Sequence, residues 1–163
     1  MNISRRTLLA LGGAGFVAGV AAIMAGGEVD AQPARYPVHF TDAQWRARLS
    51  PQQYAVLRQA ATERAGSSPL DREHRAGIFH CAGCNQPLFS SRAKFESGTG
   101  WPSFFQPLPR AIGTREDRSL LERRTEVHCA RCGGHLGHVF TDGPRPTGLR
   151  YCMNGVAMIF RPA

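Results

Sequence analysis

The sequence predicts a small, mostly β domain built from short antiparallel strands and preceded by two short helices. After Gly77, short apolar runs alternate with Gly, Pro and Asp, which is typical of short-stranded antiparallel sheets. The doubled Cys-x-x-Cys pattern within this region predicts a metal site that fastens it together. The predicted strands are 77–81, 87–90, 101–105, 126–129, 138–140, 149–152 and 156–160.

The two predicted helices each begin at a capping box. In this pattern the side chain of a Ser or Thr accepts a hydrogen bond from the backbone N–H of a Gln three residues later, and the Gln side chain accepts one from the backbone N–H of the Ser or Thr. The patterns are Thr41-Asp42-Ala43-Gln44 and Ser50-Pro51-Gln52-Gln53, the second with Pro at the first helical position. They predict helices over 42–48 and 51–61. The polar stretch 113–119 predicts a hairpin tip or loop.

Length and charge narrow the class of protein. The 163 residues predict one domain with an N-terminal extension. The net charge of +8 is carried almost wholly by arginine, with Lys94 the only lysine. The arginines are scattered rather than clustered on one segment, which argues against a nucleic-acid-binding face.

The first 31 residues have the character of a targeting segment. Arg5 and Arg6 precede a Gly/Ala-rich apolar run over 8–25, and Val29 and Ala31 are small residues at the −3 and −1 positions of a candidate cleavage site. Adjacent arginines after a serine resemble the twin-arginine export signal. We therefore expect a signal peptide over 1–31, a linker over 32–40, a domain over 41–163 and a periplasmic or otherwise exported protein. The alternative is an uncleaved membrane anchor.

Four of the five cysteines form two pairs with the spacing of metal-binding knuckles: Cys81, Cys84, Cys129 and Cys132. Four thiolates complete a closed tetrahedral zinc site, which leaves no open position for water, so we expect one structural Zn²⁺. Disulfides are the alternative in an exported protein. A twin-arginine protein is folded before export and can load zinc in the cytoplasm.

The fifth cysteine, Cys152, is either an apolar filler or a reactive thiol. Arg150 and Asn154 stand two residues away on either side, where a strand would place them on the same face. A nearby cation favours the nucleophilic thiolate.

Two further stretches carry candidate site residues. Trp101 follows a tight Gly turn and precedes a Pro, so it is either a core residue or the wall of a small apolar pocket suited to a methyl group. His135 and His138 directly follow the second cysteine pair. Either could pack in the core, but histidine is also the usual proton donor near neutral pH, and a thiol with histidine partners suggests nucleophilic catalysis.

Together these residues resemble a known family, the type B peptide-methionine sulfoxide reductases, over about residues 36–161. The motifs are the two Cys-x-x-Cys pairs, Ser97-Gly98-Thr99-Gly100-Trp101-Pro102-Ser103-Phe104, His135-Leu136-Gly137-His138-Val139-Phe140 and Gly148-Leu149-Arg150-Tyr151-Cys152-Met153-Asn154. The resemblance implies two antiparallel sheets in a sandwich or barrel-like arrangement, N-terminal helices and a structural zinc. It implies reduction of R-methionine sulfoxide in oxidised proteins.

The resemblance also implies roles for individual residues. Cys152 is the expected nucleophile and Trp101 holds the sulfoxide methyl. His138 is the expected proton donor, His135 and Asn154 help hold water and substrate, and Arg150 keeps Cys152 ionised.

The sequence departs from part of the family at two positions. Thr99 stands where many members carry a resolving cysteine, and Gly155 where Ser often follows the Asn. We therefore expect an enzyme with one catalytic cysteine, reduced by an external thioredoxin-like or other thiol donor. We expect Gly155 to have little effect on the chemistry.

We expect a monomer, since no motif requires a dimer. Two other functions compete with the enzyme: a non-catalytic, zinc-stabilised protein-binding module, and a zinc-ribbon nucleic-acid binder. The first gives Cys152 no task, and the second conflicts with the export signal.

Overall fold

The computed structural model describes residues 36–118 and 123–163. The predicted signal peptide therefore lies outside the described residues. Helix α1 spans Asp42–Arg48 and helix α2 spans Pro51–Gln59, each with the expected capping box. Helix α2 ends earlier than predicted because Ala60 adopts a left-handed conformation. Within the described ranges, no helix has the length and apolar character needed to cross a bilayer.

Nine strands form two antiparallel sheets in the described part of the chain, which confirms the predicted fold class. In chain order they are β1 (Gly77–Cys81), β2 (Pro87–Ser90), β3 (Lys94–Phe95), β4 (Ser103–Phe104), β5 (Ile112–Asp117), β6 (Arg124–Cys129), β7 (His135–Phe140), β8 (Arg150–Met153) and β9 (Met158–Pro162). The small sheet has the order β2-β1-β9 and the large sheet the order β3-β4-β8-β7-β6-β5.

The two sheets meet through aromatic side chains. Phe79 and Phe89 of the small sheet and Phe104 of the large sheet are fully buried. Phe89 stacks on Phe104 with ring centroids 4.4 Å apart, and Phe79 meets Phe104 edge-on at 4.9 Å. These contacts hold β4 against the small sheet, and β4 is the direct neighbour of β8, the strand that carries Cys152.

The prediction of a hairpin tip or loop over 113–119 is wrong for most of that stretch. Residues Ile112–Asp117 form the edge strand β5, which pairs with β6 along its whole length. Its middle residues, Thr114, Arg115 and Glu116, are all exposed, so the apolar alternation that identifies a strand is missing. Charged residues are a common feature of edge strands because they discourage pairing with another chain.

Residues 36–40, predicted as part of a linker, contact the domain. The N–H of Val38 donates to the carbonyl of Arg131 at 2.9 Å. The ring of Phe40 packs edge-on against Trp45 with centroids 4.9 Å apart. These contacts attach the segment both to helix α1 and to the second cysteine knuckle.

Candidate active site and metal centre

Four cysteine sulfurs converge between the two sheets, at the ends of β1 and β6. The Sγ atoms of Cys81, Cys84, Cys129 and Cys132 all lie within 4.8 Å of one another. The closest pairs are Cys84–Cys129 at 3.5 Å and Cys81–Cys132 at 3.7 Å. A tetrahedral ion with bonds of about 2.3 Å places its sulfurs about 3.8 Å apart, so the four residues fit one metal ion. All five cysteines are free thiols in the structure, without the disulfides considered as the alternative.

The two cysteine knuckles share one backbone design. The N–H of Asn85 donates to the carbonyl of Cys81, and the N–H of Gly133 donates to the carbonyl of Cys129, at 2.8 and 2.9 Å. Asn85 and Gly133 both have a positive φ, which closes each turn. The identical spacing in the sequence therefore produces the same local structure twice, one on each sheet.

Cys152 lies on β8 in the middle of the large sheet. Its register partners are Ser103 on β4 and His138 on β7. It is partly accessible, unlike the buried Cys81, Cys129 and Cys132. The sheet therefore brings together a reachable thiol and a histidine that are fourteen positions apart in the chain.

Arg150 stands beside Cys152 and is fixed by an acidic residue. Its guanidinium donates two hydrogen bonds to Asp142, at 2.9 and 2.8 Å, and lies 4.4 Å from the centroid of the Phe140 ring. The hydrogen bond to Asp142, followed by the charge of Cys152, raises the pKa of Arg150 against the opposing effect of burial. The cation is thus close enough to interact with a thiolate at Cys152.

A row of hydroxyl groups connects the thiol to the Trp101 loop. The Oγ1 of Thr99 lies 3.8 Å from the Sγ of Cys152 and 2.8 Å from the Oγ of Ser97. Ser97 is 2.8 Å from the hydroxyl of Ser103, which donates to the carbonyl of Trp101 at 3.1 Å. Each hydroxyl has one proton to donate. Because Ser103 donates to the Trp101 carbonyl, Ser97 donates to Ser103 and Thr99 donates to Ser97. The Thr99 oxygen then accepts a hydrogen bond from the Cys152 thiol. When the hydroxyl protons all point toward Cys152 instead, Thr99 donates a hydrogen bond to a thiolate at that position.

His138 is held by a carboxylate. Its Nε2 lies 2.7 Å from Asp117 Oδ2, and the same oxygen accepts from Arg124 at 2.7 Å. Among the described residues, His138 Nδ1 makes no hydrogen bond. The contact with Asp117 fixes the orientation of the His138 ring and leaves Nδ1 as the ring nitrogen that can contact another group.

His135 has a parallel arrangement but a more buried position. Its Nδ1 lies 3.0 Å from Glu126, which also accepts two hydrogen bonds from Arg115. Burial lowers the pKa of His135 despite the hydrogen bond to Glu126, so the ring is neutral with its proton on Nδ1. Its Nε2 is then an acceptor, and that atom is buried without a partner among the described residues. The His135 and His138 rings meet edge-on, 5.3 Å apart.

Trp101 and Asn154 meet at a residue that the sequence analysis did not identify, Glu63. The indole N–H of Trp101 donates to the backbone carbonyl of Glu63 at 3.2 Å. Asn154 is buried just after β8, and its Oδ1 accepts from the N–H of Glu63 at 2.9 Å. Its amide nitrogen donates to the carbonyl of Leu136 at 3.0 Å. The Asn154 side chain is thus committed within the protein and links β8, β7 and the segment after α2.

The family model described as the SelR domain matches residues 49–162, which contain all the site residues described above. The chain belongs to the SelR family.

The similar relatives carry one name, "Peptide methionine sulfoxide reductase MsrB". The relative from Agrobacterium fabrum is 51% identical over 126 residues, covering 77% of this chain and 93% of the relative. The one from Thiobacillus denitrificans is 55% identical over 123 residues, covering 75% and 93%. The one from Bradyrhizobium diazoefficiens is 56% identical over 123 residues, covering 75% and 88%.

Within the SelR domain, the structure brings all the predicted site residues into two groups, the four-cysteine cluster and the surroundings of Cys152. The sequence analysis missed four carboxylates that organise the second group: Glu63, Asp117, Glu126 and Asp142. The sequence sets only Glu126 apart, because it is a charged residue at the start of a predicted strand. The others lie in polar segments, where nothing distinguishes an organising carboxylate from a solvated one.

Proposed function

We propose that this chain reduces R-methionine sulfoxide in oxidised proteins to methionine, with Cys152 as the nucleophile. The predicted enzyme class, methionine sulfoxide reductase, is confirmed by family membership and by relatives at 51–56% identity. The observation that carries the proposed mechanism is the position of Cys152. His138 is its register partner on the adjacent strand β7, and Arg150 lies beside it.

The chemical step transfers one oxygen atom. The Cys152 thiolate attacks the electrophilic sulfoxide sulfur while His138 donates a proton to the sulfoxide oxygen. The S–S bond formed in the attack and the S–O bond of the sulfoxide both break as the oxygen passes to Cys152, so methionine is released and Cys152 is left as a sulfenic acid. The methionine sulfur gains two electrons and the cysteine sulfur loses two, so the step is balanced without a further reactant.

The other residues hold the reactants in place. Trp101 provides the apolar wall for the methyl group. The free Nε2 of His135 accepts a hydrogen bond from a water molecule beside the sulfoxide. Arg150 favours the thiolate, and Asn154 positions the backbone after Cys152 through its two hydrogen bonds. Asp117 holds the His138 ring in place through its contact with Nε2.

An external thiol completes the cycle. One thiol attacks the sulfenic acid, releasing water and forming a mixed disulfide with Cys152, and a second thiol releases the enzyme as a free thiol. The hydroxyl of Thr99 stands next to Cys152, and the other four cysteines form the cluster. The donor is therefore a thioredoxin-like or glutathione-type thiol.

The ion in the cysteine cluster is Zn²⁺. Four sulfur donors with this spacing suit zinc, and a site with four protein ligands has a structural role. The cluster joins β1 to β6 and so holds the two sheets in register.

The protein acts outside the cytoplasm, exported through its twin-arginine segment. The support is the pair Arg5 and Arg6 before an apolar run. Fractionation of cells producing the chain, beside an Arg5→Lys/Arg6→Lys variant, tests this. We expect the wild type outside the cytoplasm and the variant inside; equal distribution would contradict export by this route.

The experiment that tests the function measures reduction of a peptide containing R-methionine sulfoxide. The full-length chain is assayed with dithiothreitol, beside Cys152→Ser. We expect turnover by the wild type, none by the variant and none with the S epimer. Absence of turnover by a folded, zinc-loaded wild type would instead favour the protein-binding module.

Mass spectrometry after one turnover without reductant tests the regeneration step. We expect Cys152 to carry one added oxygen atom in the wild type. Thr99→Cys is the matched control, because a thiol at that position is close enough to form a disulfide with Cys152. A disulfide to Cys152 in the wild type would refute the requirement for an external thiol.

A further inference from the structure

Glu63 uses all its hydrogen-bonding groups on the elements that form the site. It lies between α2 and the short 3-10 turn at Pro69–Arg72. Its N–H donates to Asn154 and its carbonyl accepts from the indole of Trp101. Its two carboxylate oxygens accept from the N–H groups of Gly155 at 2.6 Å and Val156 at 2.9 Å.

The carboxylate of Glu63 caps the turn that follows the nucleophile strand. The 3-10 turn Gly155–Ala157 begins after Asn154, whose side chain makes no capping hydrogen bond to it. The first N–H groups of such a turn have no acceptor within the turn itself and need acceptors from elsewhere. Glu63 supplies both acceptors from a segment more than ninety residues earlier in the chain.

The same segment is also attached to the loop that carries Trp101. The N–H of Gly66 donates to the carbonyl of Gly100 at 2.7 Å, next to the bond between Glu63 and the Trp101 indole. A side-chain carbon added at Gly100 would lie 2.9 Å from the nitrogen of Gly66, so the two backbones are in close contact. Residues 63–66 therefore bridge the Trp101 loop and the end of β8.

We propose that Glu63 is a positioning residue that fixes the Trp101 wall relative to Cys152 and thereby sets the selectivity for a methyl sulfoxide. This inference rests on the proposed function. The pairing of β4 with β8 links the backbones beside Trp101 and Cys152. Glu63 adds a link from the Trp101 indole to the residues that directly follow β8, by hydrogen bonds on both sides. A pocket for one methyl group must keep that spacing to reject a larger group. A misplacement of about 1 Å can change rates by about a hundredfold.

The test compares wild type with Glu63→Gln in the full-length, zinc-loaded protein. The amide keeps the shape of the side chain but replaces one acceptor with a donor that faces a backbone N–H. We measure kcat and KM with peptides containing methionine sulfoxide and ethionine sulfoxide, which differ by one methylene group. Such a difference corresponds to about 10- to 200-fold discrimination in a fitted pocket.

We expect Glu63→Gln to raise KM for methionine sulfoxide about tenfold and to lower the preference for methyl over ethyl by a similar factor. Glu63→Asp keeps both acceptors and should recover part of the preference. Leu88→Val, in the buried core of the small sheet, is the control for a general loss of stability. It should lower the melting temperature while leaving the preference unchanged.

A second measurement does not depend on turnover. Trp45→Phe leaves Trp101 as the only tryptophan, so its fluorescence and its quenching by acrylamide report directly on the wall. We expect Glu63→Gln in this background to increase the quenching about twofold. Unchanged quenching and unchanged methyl preference in Glu63→Gln would overturn the inference. Absence of turnover in the wild type would instead count against the proposed function.

Discussion

The four-cysteine cluster and the surroundings of Cys152 show how one residue type is given two different environments. In the cluster, the four sulfurs all lie within 4.8 Å of one another, and three of the four residues are buried. At Cys152 the neighbours are a threonine hydroxyl, an arginine and a histidine, and the thiol is partly accessible. The first environment suits a metal ion and the second suits a nucleophile.

The two regions also differ in how the chain builds them. Each cysteine knuckle is closed by hydrogen bonds within five residues, so its shape follows from local sequence. The Cys152 site is assembled from β4, β7 and β8 together with the segment after α2, and its geometry depends on the whole fold. The difference predicts that changes in the cluster will affect folding, whereas changes around Cys152 will affect the reaction.

The largest effect is expected from Cys129→Ser. Loss of one ligand from a buried four-thiolate site removes metal affinity that is coupled to folding, about 10 kcal/mol or more for structural zinc. We expect the variant to lose its zinc and its cooperative thermal transition, as measured by metal analysis and circular dichroism. Cys152→Ser is the control and should keep one zinc and a wild-type melting temperature. A folded, metal-free Cys129→Ser would contradict the structural role of the cluster.

A large effect on rate, with little effect on stability, is expected from Asp117→Asn. The amide holds the His138 ring less firmly than the carboxylate does, so the proton transfer should slow by about a hundredfold. The measurement is kcat with the methionine sulfoxide peptide. Glu116→Gln, on the exposed neighbouring residue, is the matched control and should retain the wild-type rate. Equal rates in the two variants would remove Asp117 from the mechanism.

The same contrast explains what the sequence could predict. The capping boxes, the strands of the small sheet and the cysteine pairs are encoded by local patterns, and the structure has them close to the predicted positions. The edge strand β5 was missed because a strand paired on one side, with exposed polar residues, lacks periodicity. Glu63 was missed because its partners are Trp101 and the residues around Gly155, which only the folded chain brings near. Long-range hydrogen bonds leave no pattern in a single sequence.

A moderate effect on stability is expected from a substitution at Gly155. A side-chain carbon there would lie 2.0 Å from the hydroxyl of Ser68 and 2.5 Å from its Cβ. Gly155→Ser should therefore cost about 1–3 kcal/mol of unfolding free energy. Ser68→Gly removes both atoms, so the double variant should recover most of that loss in a denaturant titration. Additive losses in the double variant would show that Ser68 is not the cause.

The smallest effect is expected in the pH dependence of stability, and it again separates the two regions. Burial lowers the pKa of His135 below 6.5 in the folded protein, so below that pH the unfolded chain binds a proton that the folded chain does not. Stability should therefore fall as the pH decreases from 6.5 through the pKa of the folded state. Glu126 also has a lowered pKa, because hydrogen bonds from Arg115 and His135 outweigh burial, but its contribution is lost only below its ordinary value of 4.5.

His135→Gln removes the first titration and leaves the zinc ligands unchanged. We expect its melting temperature to depend less on pH than that of the wild type between about pH 8 and about pH 5, by the equivalent of about 1 kcal/mol. His135→Gln leaves the four-cysteine cluster unchanged, so the difference between the two curves isolates His135. Identical curves would mean that His135 has the same pKa in the folded and the unfolded chain, and burial would then not keep its Nε2 an acceptor for the water beside the sulfoxide below pH 6.5.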